Sequence, residues 1–134
     1  MIRDIEARGK RSDIGIWWFG FYYKTKGKHF ILGWEKPNSD SQREQEVVPE
    51  TVDEFIGLTD KNGVRIFNRD ILLDVETGKI GLVHLGLWEL MDGGFYCWCA
   101  GGMAIGCRKN EFIAYEHVVI GNIHDNPKLL EKKR

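Results

Sequence analysis

The chain has no apolar run approaching the roughly 20 residues that a membrane-spanning helix needs. Its first residues, MIRDIEARGKR, lack the apolar segment of a secretory signal. A cytoplasmic protein that does not engage a membrane is therefore the expectation. Cysteine is scarce: Cys97, Cys99 and Cys107 make an odd number without an export signal, which favours reduced thiols over a disulfide framework. An excess of one charge is also missing. The 19 Lys and Arg against 20 Asp and Glu leave a formal net charge of -1, which argues against a protein devoted to coating phosphate backbones. Nothing at this size calls for a metal or a disulfide. A chain of 134 residues folds as one domain, 1–134, and withdraws roughly two thirds of its unfolded surface from water.

The recurrent motifs of catalysis are absent as well. There is no glycine-rich loop followed by Lys-Ser or Lys-Thr, no G-x-S-x-G elbow and no H-E-x-x-H pair. The thiols of Cys97, Cys99 and Cys107 with the imidazoles of His84, His117 and His124 are the soft ligands available, but no C-x-x-C knuckle organises them. Asp60-Lys61-Asn62-Gly63 opens like a calcium loop, yet Ile71 stands where the closing glutamate belongs, so a turn is the better reading. Glu50, Asp53, Glu54, Asp70, Asp74 and Glu76 supply carboxylates without any spacing that fixes a catalytic pair, and a charged outer face accounts for them. The sequence thus predicts no enzyme, no cofactor, no metal and no small-molecule ligand.

What the chain does have is turn chemistry between apolar runs. In VVPETVDEFIGLTDKNGVRIFNRDILL, residues 47–73, Asp60 to Gly63 joins Glu54–Leu58 to Val64–Phe67 as a hairpin. Asp60 bonds its own backbone two residues on, and Asn68-Arg69-Asp70 turns the chain again into Ile71-Leu72-Leu73. Ile2 to Lys10 reads as a strand and Ser12 to Gly15 as a turn. Residues 16 to 34 form a second hairpin about Lys24 to Lys28. Glu35 to Glu46 carries no large apolar residue and reads as an exposed loop. Ile80 to Leu90 is one extended run, with Phe95 to Cys99 its hairpin partner across Met91 to Gly94. Ala100 to Gly106 reads as a flexible small-residue segment, and Glu111 to Ile123 as one or two strands. Asn126-Pro127 caps a short helix from Pro127 to Lys133.

The aromatic stretch at 16 to 23 is the candidate surface. Alternation sends Trp17, Phe19, Phe21 and Tyr23 to one face and Trp18 and Tyr22, with Ile16, to the other. Both faces are apolar, as in a central strand covered on two sides; a sharper reading makes one face a binding or subunit surface. A second class of function rests on Arg3, Arg8, Lys10 and Arg11 near Trp17 and Trp18, with Lys24, Lys26 and Lys28 beyond. Cations interleaved with rings are what single-strand nucleic-acid binding uses, though the balanced net charge disfavours it.

Three stretches in order, RDIEARGKRSDIGIWWFGFYY, VVPETVDEFIGLTDKNGVRIFNRDIL and VVIGNIHDNPKLLE, together resemble the YopX family of phage and prophage proteins. The matching residues are Arg8-Gly9-Lys10, Gly57-Leu58, Asp60 to Gly63, Asp70-Ile71, Gly121-Asn122-Ile123 and Asn126-Pro127. Arg69 stands where the family has glycine, which puts the turn before Asp70 in question. The resemblance implies a mainly β, barrel-like single domain that forms oligomers and is encoded by a temperate phage or integrated element within a bacterial host. It implies no reaction.

Residues and resemblance together predict an all-β fold: a partly closed barrel built from hairpins, with a short carboxy-terminal helix. The function that follows is that of a non-enzymatic accessory protein acting through self-association or protein binding. Its candidate surface comprises Trp17, Trp18, Phe19, Phe21, Tyr22 and Tyr23, and the alternative is a nucleic-acid-binding module.

Overall fold

The computed structural model describes residues 6–36, 41–90, 93–100, 103–106 and 117–131. Strands dominate, and the helical elements among these residues are two short 3-10 turns, Pro49–Thr51 and Pro127–Leu130. No helix among these residues is long and apolar enough to cross a membrane. The chain packs as two compact units, Met1–Phe55 and Ile56–Arg134.

In the first unit, β1 (Ala7–Lys10), β2 (Trp17–Thr25), β3 (Lys28–Trp34) and β4 (Arg43–Glu46) form a sheet in the order β4-β3-β2-β1. The start of β5 (Asp53–Thr59) extends it beyond β1. All pairings are antiparallel, as short hairpin connections require. Gly20 faces Gly33 across β2 and β3, and a Cβ on Gly33 would clash with the carbonyl oxygen of Phe19, so only glycine fits this backbone approach. Past β4 the chain returns to β1. Val47 bridges Arg11, Ser12 N–H donates to the Glu46 carbonyl and Val48 N–H to that of Lys10. These contacts draw the sheet back on itself around Trp18, Ile31 and Val47, which are buried together with Val52 packed beside them. The return is limited to this seam and closes no barrel among the described residues.

In the second unit the far end of β5 pairs with β6 (Arg65–Phe67). A three-stranded sheet runs β12 (His117–Asn122), β7 (Asp70–Asp74), β8 (Ile80–Leu82), and another runs β11 (Met103–Gly106), β10 (Gly93–Ala100), β9 (His84–Leu90). Ile66, Leu72, Val83 and Ala100 form its buried cluster, with Ile56, Leu58, Trp98 and Val119 packed against it. The 54–67 and 16–34 hairpins stand where turn chemistry predicts them; β9 and β10 pair as expected, but Gly93 and Gly94, expected in the turn, belong to β10 opposite Leu90 and Glu89.

Four segments differ from the sequence reading. Arg43–Glu46 is a strand rather than loop, because a largely exposed edge strand with only Gln45 partly buried needs no apolar residue, and its charges discourage further pairing. The extended run at 80–90 breaks at buried Val83, whose N–H donates to the Asp70 carbonyl while its own carbonyl accepts from Arg69 N–H. Met103–Gly106 is a strand because backbone pairing with β10 compensates for its glycine; Gly101 and Gly102 lie outside the described residues. The terminal helix is a single 3-10 turn, Pro127–Leu130, that Asn126 does not cap through its side chain. The Asn126 Oδ1 instead accepts from Asn122 N–H, tying the turn to β12. Ile2 to Ile5, Glu111 to Glu116 and Lys132 to Arg134, parts of the predicted elements, lie outside the described residues.

Candidate functional site: the aromatic face of the first sheet

Register decides which rings share a face. Directly opposed residues of antiparallel strands project to the same side, and the pairs here are Phe19 with Trp34, Phe21 with Leu32 and Tyr23 with Phe30. Trp17 continues the row beside Lys10, and Arg8 lies opposite Phe19. The Tyr23 and Phe30 rings stack with centroids 5.5 Å apart. The result is an aromatic ladder along β2 and β3, on the side of the sheet away from Trp18, Ile31 and Val47. Its rings are half-buried rather than sealed, and Leu32 is 38% exposed. Glu44 and Glu46 of β4 stand opposite Leu32 and Phe30 on the same face.

The six candidate residues therefore divide. Trp17, Phe19, Phe21 and Tyr23 lie on the ladder, as alternation predicts. Trp18 is a core residue, 5% exposed, with its indole N–H donating to the Arg43 carbonyl at 3.2 Å. Tyr22 shares that opposite face but lies beyond the core, 39% exposed, stacked on His29 with its hydroxyl hydrogen-bonded to the His29 Nδ1. Phe30, Leu32 and Trp34 complete the ladder, though the sequence reading left them out. The signal was present: a two-residue turn at Lys26-Gly27 fixes the register that pairs them with β2.

The basic residues are organised differently from a cationic groove. Arg8 is buried and its guanidinium meets the carboxylate of buried Asp53, Nε at 3.1 Å and Nη2 at 3.0 Å. The same guanidinium lies 4.7 Å from the centroid of the Trp17 ring, and the Lys10 ammonium lies 5.3 Å from it. Trp17 is thus flanked by two cations. Arg11 pairs with Asp13 and lies over the Trp18 ring. That pairing holds the Asp13 carboxyl below its ordinary pKa, chiefly through the Arg11 side-chain hydrogen bond. Lys24, Lys26 and Lys28 are exposed at the β2–β3 turn. Arg3 lies outside the described residues.

The other candidate chemistries resolve into structure. Asp60 is buried at 2% exposure, and its Oδ1 accepts from Asn62 and Val64 N–H. Its second oxygen accepts from Val119 N–H at 2.9 Å, so the carboxylate is engaged as a turn and strand lock. Asp70 Oδ2 accepts from Phe67 N–H at 2.7 Å and closes the turn before β7. Arg69 takes φ 68°, in the left-handed region that favours glycine. Cys99 is a buried free thiol; Cys107 and the Cys97 side chain lie outside the described residues. Among the described residues no three His, Cys, Asp or Glu side chains converge as a metal site.

Comparison with known proteins places this arrangement. No curated protein matches the chain. Among solved structures, protein EF1440 from Enterococcus faecalis is similar in fold, with a TM-score of 0.52 at 18% identity, covering 96% of this chain and 99% of that one. The family model of the YopX protein matches residues 9–131, nearly the whole chain, including the Gly9-Lys10 step, the Asp60 turn and the Asn126-Pro127 turn. The chain belongs to the YopX family, and is in that sense a phage-type protein.

Proposed function

We propose that this is a non-enzymatic phage accessory protein that works by self-association through the aromatic ladder of β2 and β3. The observation that carries the reading is the distribution of large apolar side chains in the first unit. Trp18, Ile31 and Val47 supply its buried cluster, while Trp17, Phe19, Phe21, Tyr23, Phe30, Leu32 and Trp34 are ranged on the opposite face and stay partly in water. A contiguous apolar patch of that kind is costly to leave solvated and marks an interaction surface. Aromatic anchors with a flanking arginine are also the composition that dominates binding energy at protein interfaces.

The second copy is favoured over a nucleic acid as the ladder's occupant because Glu44 and Glu46 border it, and Arg8 is already balanced by Asp53. The test is light scattering on Trp17→Ser and Trp18→Ser. Trp17→Ser stays folded and scatters as a smaller species than the wild type. Trp18→Ser loses the centre of the core and with it the near-ultraviolet circular dichroism of the fold. A Trp17→Ser protein with the mass of the wild type would refute the reading.

A further inference from the structure

The β2–β3 hairpin ends in a tip whose charge is unlike that of the rest of the molecule. From Tyr22 to Phe30 the chain carries Lys24, Lys26 and Lys28 and no acid, although the whole protein has a formal net charge of -1. All three lysines are exposed. Arg8 and Arg11 of the neighbouring segment have carboxylate partners, whereas residues 24–28 carry three lysines and no acid.

The register distributes those charges around the ribbon. Thr25 opposes Lys28 and Lys24 opposes His29, so Lys28 projects to the ladder side and Lys24 to the side of Tyr22 and His29. Lys26 sits at the tip itself, in a two-residue turn where it and Gly27 take φ 53° and 76°. This is the turn geometry that lets two twisted strands meet without splaying, and it holds the tip as a ribbon. The Tyr22 and His29 rings, stacked and hydrogen-bonded, brace one face behind Lys24.

We propose that this tip is a sequence-independent binding element for the phosphate backbone of nucleic acid, duplex in preference to single strand. A flat basic patch meets phosphates on one side only. A two-stranded ribbon with an ammonium on each face and a third at its end matches a groove walled by phosphates on both sides, and the duplex major groove admits such a ribbon. Lysine supplies point charges without the bidentate fork of arginine, so it engages phosphates and does not read bases. Three contacts give a logarithmic salt slope of about −3 on duplex. The tip lies at the end of the ribbon that carries the ladder, and its function does not depend on self-association.

The experiment is fluorescence anisotropy of the full-length chain with labelled duplex and single-stranded DNA across a salt series. Three proteins are compared: wild type, Lys24→Ala/Lys26→Ala/Lys28→Ala, and the charge-matched control Lys36→Ala/Lys61→Ala/Lys79→Ala, whose lysines are also exposed. Circular dichroism confirms that each remains folded. Wild type and control bind duplex at low salt with the slope above, the tip variant loses at least tenfold in affinity, and unrelated duplex sequences bind alike. Absence of duplex binding at low salt, or a tip variant that binds like the control, overturns the proposal. Tighter binding to single strand overturns the groove placement. Equal competition by polyglutamate of matched charge would make an acidic protein the partner instead.

Discussion

The carboxylate of Asp60 accepts a hydrogen bond from the backbone N–H of Val119 at 2.9 Å, across 59 residues of chain. The neighbouring Lys61 N–H donates to the His117 carbonyl, so the tip of the central hairpin supplies one donor and one acceptor to the edge of β12. The turn completes β12 as a neighbouring strand would. That edge is thereby denied, over His117 to Val119, to pairing with another chain.

Replacing Asp60 with alanine leaves three N–H groups, those of Asn62, Val64 and Val119, without this acceptor. We expect Asp60→Ala to cost about 3 kcal/mol, at the upper range for hydrogen bonds to a charged group. Urea denaturation measures the loss, and amide exchange at Val119 accelerates with it. Substitution of exposed Lys61 by alanine, which keeps the backbone bond, changes stability by less than about 0.5 kcal/mol.

The buried pair of Arg8 and Asp53 behaves asymmetrically. Arg8→Met or Asp53→Leu alone removes one member of a buried ion pair and costs about 3–5 kcal/mol. The double variant recovers most of that loss, because desolvation of both ions is avoided. A double-mutant cycle from denaturation midpoints gives the coupling; simple additivity would contradict the account.

At Arg69 the backbone φ of 68° favours glycine. Arg69→Gly and Arg69→Ala both remove the side chain, so their difference isolates the backbone. We expect the glycine variant to be more stable by about 1 kcal/mol, the cost of left-handed geometry for a residue with a Cβ. Thermal unfolding of the two proteins side by side provides the comparison.

Asp74 titrates below its ordinary pKa, first because the Glu76 N–H donates to its carboxylate, and further through Thr77. A folded pKa below the unfolded one means that the unfolded chain binds the proton more readily. The stabilisation is therefore whole above the ordinary aspartate range and is lost as pH falls through that range to the lowered folded value. The difference in thermal midpoint between wild type and Asp74→Asn should stay constant near neutrality and shrink only on such acidification.

Local chemistry was the legible part of the fold. The Asp60 turn, the Lys26-Gly27 turn and the alternation of Trp17 against Trp18 all depend on residues a few positions apart, and the structure has each of them. Which side of β2 is buried was not legible, since Trp17 and Trp18 are alike in kind. The deciding residues are small: Gly9, Gly20 and Gly33 lie on the Trp18 side, where a Cβ on Gly9 would come within 3.2 Å of Ile31 and Val47. These three glycines share the face of Trp18 and Ile31. Arg43–Glu46 escaped because a largely exposed edge strand has no apolar period to detect. The Asp60–Val119 bond and the Arg8–Asp53 pair join residues far apart in sequence, and no local pattern announces either.

Joining of copies of this chain through the proposed ladder of β2 and β3 is measurable by sedimentation velocity across a concentration series. The wild type should sediment as a dimer or larger species that dissociates on dilution, while Leu32→Glu, at an exposed position of the ladder, stays monomeric at every concentration with its circular dichroism unchanged. A wild-type protein that is monomeric throughout, or a Leu32→Glu protein that assembles as the wild type does, would contradict it.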